Sequence, residues 1–240
     1  MTDAVAVARK EWLELLGTPG WQGKQGIILF VLAFGVVLPL MNGPTWITSP
    51  TIAITWSWVP MFLVATVISD AFAGERERHT LETLLATRLS DSAILFGKIG
   101  AAIAYSGAVT AVSLILGVVT VNLAHRQDGL VLYSLGVVTL ICLLGLLGAL
   151  LVAAIGVLIS LRSATVRQAQ QTLSGAIVVL AAGPILLVRF LPAGWQHRLA
   201  SSGLSGEQVA LLGMTLLVAI DAGALTMVRA RFRRGRLIAV

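Results

Sequence analysis

Long apolar runs broken by short charged clusters set the pattern of this chain. A helix needs roughly 20 residues to cross a hydrocarbon core of ~30 Å. Six runs reach or approach that length: Gly26–Met41, Thr51–Phe72, Ile99–Leu123, Leu130–Ser160, Thr172–Leu191 and Val209–Val228. The pattern predicts an all-α integral membrane protein with six transmembrane helices. The first run is short and borrows residues on either side. The fourth is longer than one span needs. It is expected to tilt, to kink near Gly145, Gly148 or Gly156, or to project into the cytoplasm, since no charged turn divides it.

Three polar pieces accompany these runs. In Asp3–Leu16, the residues Val5, Ala8, Trp12, Leu15 and Leu16 share one helical face, with Arg9, Lys10 and Glu14 mostly elsewhere. That predicts a helix lying in the inner interface. The GTPGWQG run from Gly17 to Gly23 ends it and turns the chain into the membrane. Residues 1–25 are thus an amphipathic interfacial helix and turn, 26–228 the six-span domain, and 229–240 a basic cytoplasmic tail.

The second piece, 73–98, connects spans two and three. With Asp70 just before it, it carries Glu75, Glu77, Glu82 and Asp91 in a chain with only 11 acidic residues. Leu81, Leu84 and Leu85 keep i, i+3, i+4 spacing, so a short amphipathic helix is expected. Ser90 is placed to N-cap the third span. A plain connection needs only a few turn residues; a short leucine face with charged flanks reads as a docking element. The third piece, Arg229–Arg236, reads as a stop-transfer anchor on anionic headgroups.

Composition agrees. Hydrophobic residues make up 57% of the chain and charged ones only 12%, too little charge to cover a soluble domain of this size. The net charge of +6 does not point to nucleic acid, because the cations flank apolar runs as topology determinants do. Of the 17 Lys and Arg, all but Arg126, Arg189 and Arg198 fall on one side, which places both termini in the cytoplasm. Trp46, Trp56, Trp58 and Trp195 cluster at outer span ends, and Trp12 and Trp21 flank the inner side.

No catalytic constellation or metal-ligand set emerges. His79, His125 and His197 are far apart in sequence, and Cys142 is alone. Neither Gly23-Lys24 nor Gly97-Lys98 lies in a phosphate-cradling loop: the place five positions before each glycine holds Thr18 or Ser92, and neither lysine is followed by Ser or Thr. A motor, if there is one, is another polypeptide. Asp221 in span six, Arg189 near the outer end of span five and Asp70 at the inner end of span two are the ionisable groups at or near the membrane. They would serve either as buried polar contacts or as a lining of a pathway.

The stretch from Asp70 to Lys98 resembles the signature of ABC-2-type transporter permeases, the membrane subunits of one class of bacterial ABC exporter. The matching residues are Asp70, Phe72, Ala73, Gly74, Glu75, Arg76, Glu77, Arg78, Thr80, Leu81, Glu82, Leu84, Leu85, Ala86, Thr87, Leu89 and Ser90, then Ile94, Leu95, Gly97 and Lys98. His79 stands where the family usually has glycine, which favours continuing the helix where the family breaks it. Arg88 stands for the usual proline and removes a turn marker.

The resemblance implies a coupling helix that docks on a separate cytoplasmic ABC ATPase. Two permease subunits, identical or related, and two ATPase copies would complete the transporter in the bacterial inner membrane. ATP and Mg would be held by the ATPase, with no cofactor in this chain. Glu75, Arg76, Glu77, Arg78 and Glu82 would then supply the charged docking contacts, with Thr80 in the same coupling segment and Leu81, Leu84 and Leu85 packed beneath. A haem-exporter-like subunit is a close variant. A non-transporting scaffold or sensor that recruits an ATPase, and a membrane enzyme, are the readings from other classes. The few polar groups in the spans lean towards an amphipathic or lipid-like cargo, such as a drug or lipid.

Overall fold

The computed structural model describes residues 2–17, 21–126, 129–190 and 206–232. Arg233, Arg234 and Arg236 of the expected tail, the positions of Trp195 and Arg198, and part of the Gly17–Gly23 turn lie outside them. Among the described residues every element is helical. They are α1 (Thr2–Gly17), α2 (Trp21–Leu32), a π-helical turn (Ala33–Val37), α3 (Leu38–Asn42), α4 (Thr45–Thr48), α5 (Pro50–Glu77), α6 (Leu81–Leu85), α7 (Asp91–Ala124), α8 (Leu135–Ser160), α9 (Val166–Phe190) and α10 (Gly206–Arg231). Five stretches are long and apolar enough to cross a membrane: Gln25–Asn42, Trp56–Glu77, Asp91–Ala124, Leu135–Ser160 and Leu211–Arg231. α9 occupies the place of the fifth expected run, whose last residue, Leu191, lies outside the described residues.

The first span is α2 and α3 joined through the π turn. A π turn shifts the backbone pairing by one residue, and Thr120 of α7 donates to the Gly35 carbonyl there at 2.9 Å. Gly35 is buried, and a side chain on it would press on Leu116.

The sequence pattern begins the fourth span at Leu130, but α8 begins at Leu135. Two side chains hold the preceding residues out of the helix. Asn122 Oδ1 accepts from the Val131 N–H, and its Nδ2 donates to the Val131 carbonyl, both at 2.8 Å. Ser134 is extended and its hydroxyl accepts from the Val137 N–H at 3.3 Å, an N-cap. The excess length is therefore loop, and α8 runs unbroken through the three glycines.

Those glycines are contacts with α5. A Cβ at Gly145 would lie 3.1 Å from Pro60 Cγ, one at Gly148 2.7 Å from Met61 Sδ, and one at Gly156 would overlap Ile68. Small residues let two helix backbones approach where lipid supplies no hydrophobic drive. The α5–α8 pair is the centre of the molecule: the α5 span is 72% buried and α8 56%, against 11% for both the first span and Leu211–Arg231. Around its inner half pack Ile68, Phe72, Ile94, Val152, Val157, Leu173, Val228 and Phe232; around its outer half pack Trp46, Ile47, Trp56, Val59, Val121 and Ile141.

Candidate functional site

At the inner end of α5 the charged run that begins at Glu75 spreads over several helices. Glu75 is buried and faces Lys98 of α7. Lys98 is itself nearly inaccessible, with its ammonium 2.6 Å from Glu11 of α1 and 3.3 Å from Glu75. A buried cation needs such partners, because either charge left alone in a low dielectric is costly. Arg76 turns the other way and donates to the carbonyls of Leu161 (2.8 Å) and Ser163, just past the end of α8. Helix C-termini carry unsatisfied carbonyls and partial negative charge, so the guanidinium caps α8. Glu77 accepts from the Val166 N–H at 3.1 Å, at the start of α9, where a carboxylate meets the positive end of a helix. Arg78 folds back to Asp70 with a two-pronged contact at 3.1 and 3.2 Å. Four consecutive residues thus tie the end of α5 to α7 and α1, to α8, to α9, and to α5 itself.

A hydroxyl completes this junction. Ser160 Oγ accepts from the N–H groups of Phe72 and Ala73 at 3.1 and 2.9 Å, and donates to the Ser69 carbonyl at 3.0 Å. Two glycines of the signature leave space for it to close. A side chain at Gly74 would collide with the Asp70–Arg78 bridge, and a Cβ at Gly97 would lie 2.6 Å from Val7 of α1.

The chain then leaves α5 through a helix-ending turn. Thr80 N–H bonds the Glu75 carbonyl at 2.8 Å and His79 N–H the Arg76 carbonyl at 3.1 Å, the two bonds of a Schellman motif. His79 sits at its left-handed position with φ 57°. The expectation that His79 would let the helix continue is corrected here: α5 stops at Glu77, and His79 takes the conformation in which glycine is usual. The Thr80 hydroxyl also bonds the Glu75 carboxylate.

Beyond the turn, α6 presents two faces. Leu81 is buried in the inner core and Leu84 packs against it, while Glu82 and Thr83 are exposed. The side chain of Leu85 lies outside the description. Arg88 is exposed in the following bend, and Ser90 Oγ accepts from the Ala93 N–H at 3.2 Å, capping α7 as its position predicts.

α1 lies along α7 with a face that overlaps the stripe the sequence pattern selects, since Ala8, Trp12 and Leu15 are half-buried. Val7 is buried against Gly97, Trp12 meets the Tyr105 ring edge-on with centroids 6.2 Å apart, and Glu11 reaches Lys98. Val5, by contrast, is 66% exposed. Between α1 and the α5 turn runs an open groove of about 1150 Å³, whose lining includes Arg9, Leu13, Glu14, Asp70, Arg78 and Thr80. In it Lys10 pairs with Glu14 at 3.0 Å. Burial lowers the Lys10 pKa, but Glu14 and the Glu11 and Glu75 carboxylates outweigh it, so the pKa lies above its ordinary value.

The remaining candidates stand apart from this junction. Arg189 is exposed in the last turn of α9. Asp221 is 3% exposed on α10, and neither of its oxygens has a hydrogen-bond partner among the described residues. Sequence reasoning missed Glu11 and Ser160. The trace of Glu11 was an acid at i+4 from Val7 on α1; Ser160 left none, since a serine ending an apolar run is common.

A family model described as ABC-2 family transporter protein matches residues 39–197, more than half of the chain. The match runs from the outer end of the first span through the α5, α7, α8 and α9 parts of the junction and beyond α9, and does not reach Glu11 and Val7 of α1. The chain belongs to the ABC-2 transporter family. It is a multi-pass membrane component of a transporter, of the kind that works with an ABC ATPase. No curated protein matches the sequence.

Proposed function

We propose that this chain is the permease subunit of an exporter driven by a separate cytoplasmic ATPase, which docks on α6 and the turns flanking it. The observation that carries the proposal is the split character of α6 within the family match: Leu81 and Leu84 hold it to the core, and Glu82 and Thr83 face outwards. In this reading the chain has six spans with both ends in the cytoplasm, and α1 lies in the inner interface with Val5 and Leu13 towards lipid. Two copies, or one copy and a related chain, pair with two ATPases. An amphipathic or lipid-like cargo suits the apolar spans. Glu75, Arg76 and Glu77 carry the position of the docked segment to α7, α8 and α9, while Glu82 meets the ATPase.

The test is purification of the full chain from its native membrane in mild detergent, with mass spectrometry of what accompanies it. A stoichiometric ATPase with a phosphate-binding loop is expected, and Glu82→Lys should release it while the chain still reaches the membrane. A chain that emerges without any ATPase after gentle crosslinking would sink the proposal.

A further inference from the structure

Among the described residues, Asp221 is the one acidic or basic residue that lies deep within a membrane-spanning segment. It lies on α10, eight residues and about 12 Å before Arg229 at the helical rise. Phe232 meets Phe72 at 5.3 Å, and the Arg229 guanidinium lies 4.5 Å from the Phe96 centroid, so the inner end of α10 is level with the inner ends of α5 and α7. Above that level the neighbours offer no Lys, Arg, His, Asp or Glu. There is none in α8, against which α10 packs; none in residues 51–69 of α5; none in 99–124 of α7; and none in 168–188 of α9.

The nearest charges on α7, on α5 and on α10 itself are already engaged. Lys98 on α7 sits between Glu11 and Glu75, Asp70 on α5 is bridged by Arg78, and Arg229 lies over Phe96. A second copy of this chain would add only another Asp221 at that depth. An ionised carboxylate there would have no cation to meet, and the bilayer interior makes that state costly. A neutral carboxyl avoids the charge penalty and leaves only the smaller cost of a polar group with no partner among the described residues.

We propose that Asp221 is a proton-binding site that latches α10 to α8: with its proton on, the side chain stays in the seam, and when the proton leaves, the carboxylate draws the seam open. The structure suits a latch because α10 is otherwise weakly held. Leu211, Leu212, Leu216, Val218, Ile220 and Met227 are all exposed, while Asp221 and Val228 are buried. This inference does not depend on the ATPase.

The experiment uses the full chain in lipid nanodiscs. Infrared spectra at neutral pH should show the C=O absorption of a neutral carboxylic acid, lost in Asp221→Asn. Dicyclohexylcarbodiimide, which adds the acid O–H across one of its C=N bonds with no leaving group, should raise the mass of the peptide that contains Asp221. For the latch, Ala224→Cys in a Cys142→Ala background is labelled with a maleimide, and its rate is divided by that of the same protein carrying Asp221→Asn at the same pH. This ratio cancels the thiol's own titration. It should rise at least about tenfold from neutral to alkaline pH, the scale that a buried charge in the bilayer sets. No neutral-acid band, or no modification of Asp221, overturns the site. A ratio that stays at one across the pH range overturns the latch. The carbodiimide map needs no variant, so a misfolded Asp221→Asn chain leaves the site decided.

Discussion

The two ends of the molecule are built on opposite principles. At the inner end, buried polar groups meet partners from distant parts of the chain: Lys98 two carboxylates, Arg76 two carbonyls, Ser160 three backbone groups. At the outer end, Phe34, Trp46 and Trp56 pack ring on ring at 5.5 and 5.6 Å. There the indole N–H groups of Trp46 and Trp56, the Tyr133 hydroxyl and His125 Nδ1 are buried without a hydrogen-bond partner among the described residues. Directional bonds fix where helices sit; aromatic packing fills volume and tolerates small shifts. The first end is therefore the stiffer joint and the second the more adaptable one.

The sharpest way to break the contrast is to remove the inner cation. Lys98→Met leaves Glu11 and Glu75 facing each other in a buried site. Removing one partner of a buried pair costs roughly 3–5 kcal/mol. We expect the largest loss of thermal stability here, read by unfolding of the purified chain in detergent. A triple variant that also carries Glu11→Gln and Glu75→Gln should recover much of it, since no uncompensated charge remains. Failure to recover would mean that Lys98 acts through its packing on Phe72, whose ring centroid is 5.7 Å from the ammonium.

Next comes the seam that both ends share. Gly156→Ala puts a methyl group on Ile68, which is branched and fully buried; overpacking of this kind costs about 1–3 kcal/mol. Gly148→Ala meets the Met61 sulfur, which can swing aside, so its cost should be smaller. Melting temperatures of the two variants in detergent test the order. If Gly148→Ala proved the worse, the tight approach of α5 and α8 would lie nearer the outer end.

The apolar spans were legible because twenty-residue apolar runs have few other uses, and α6 because Leu81 and Leu84 keep helical spacing. What escaped depends on pairings across long stretches of chain. The run from Glu75 to Arg78 reads as solvated charge until α8 and α9 return beside it. The start of α8 depends on Asn122 catching Val131, which no hydropathy pattern records. On α1, the apolar stripe placed Ala8, Trp12 and Leu15 on the face that packs, but also Val5, which is exposed. That face also carries a carboxylate, Glu11, and a charge on a packing face makes sense only once Lys98 is opposite.

A smaller effect probes the outer end. Tyr133→Phe removes a hydroxyl with no acceptor, so at neutral pH stability should be unchanged or slightly raised. Burial pushes the Tyr133 pKa up to about 12 from 10.0. The folded state therefore holds its proton more tightly than the unfolded one. Stability from this group is full below pH 10 and falls as pH rises towards about 12. The variant should lack that part of the alkaline loss. Identical alkaline unfolding curves for the two proteins would place Tyr133 in water, and the outer end would then be less dry than its packing implies.

The smallest effect tests the exit from the inner junction. His79 holds φ 57° to close the two bonds of the turn, a conformation that costs a side-chain-bearing residue roughly 1–2 kcal/mol. Glycine adopts it freely but loses more backbone entropy on folding, by about 0.5–1 kcal/mol. The balance favours His79→Gly by under about 1 kcal/mol. The histidine is exposed, so little packing is lost. A melting temperature raised by a few degrees would show that the turn is strained at this residue. A lowered one would mean that the imidazole makes a contact worth more than the strain.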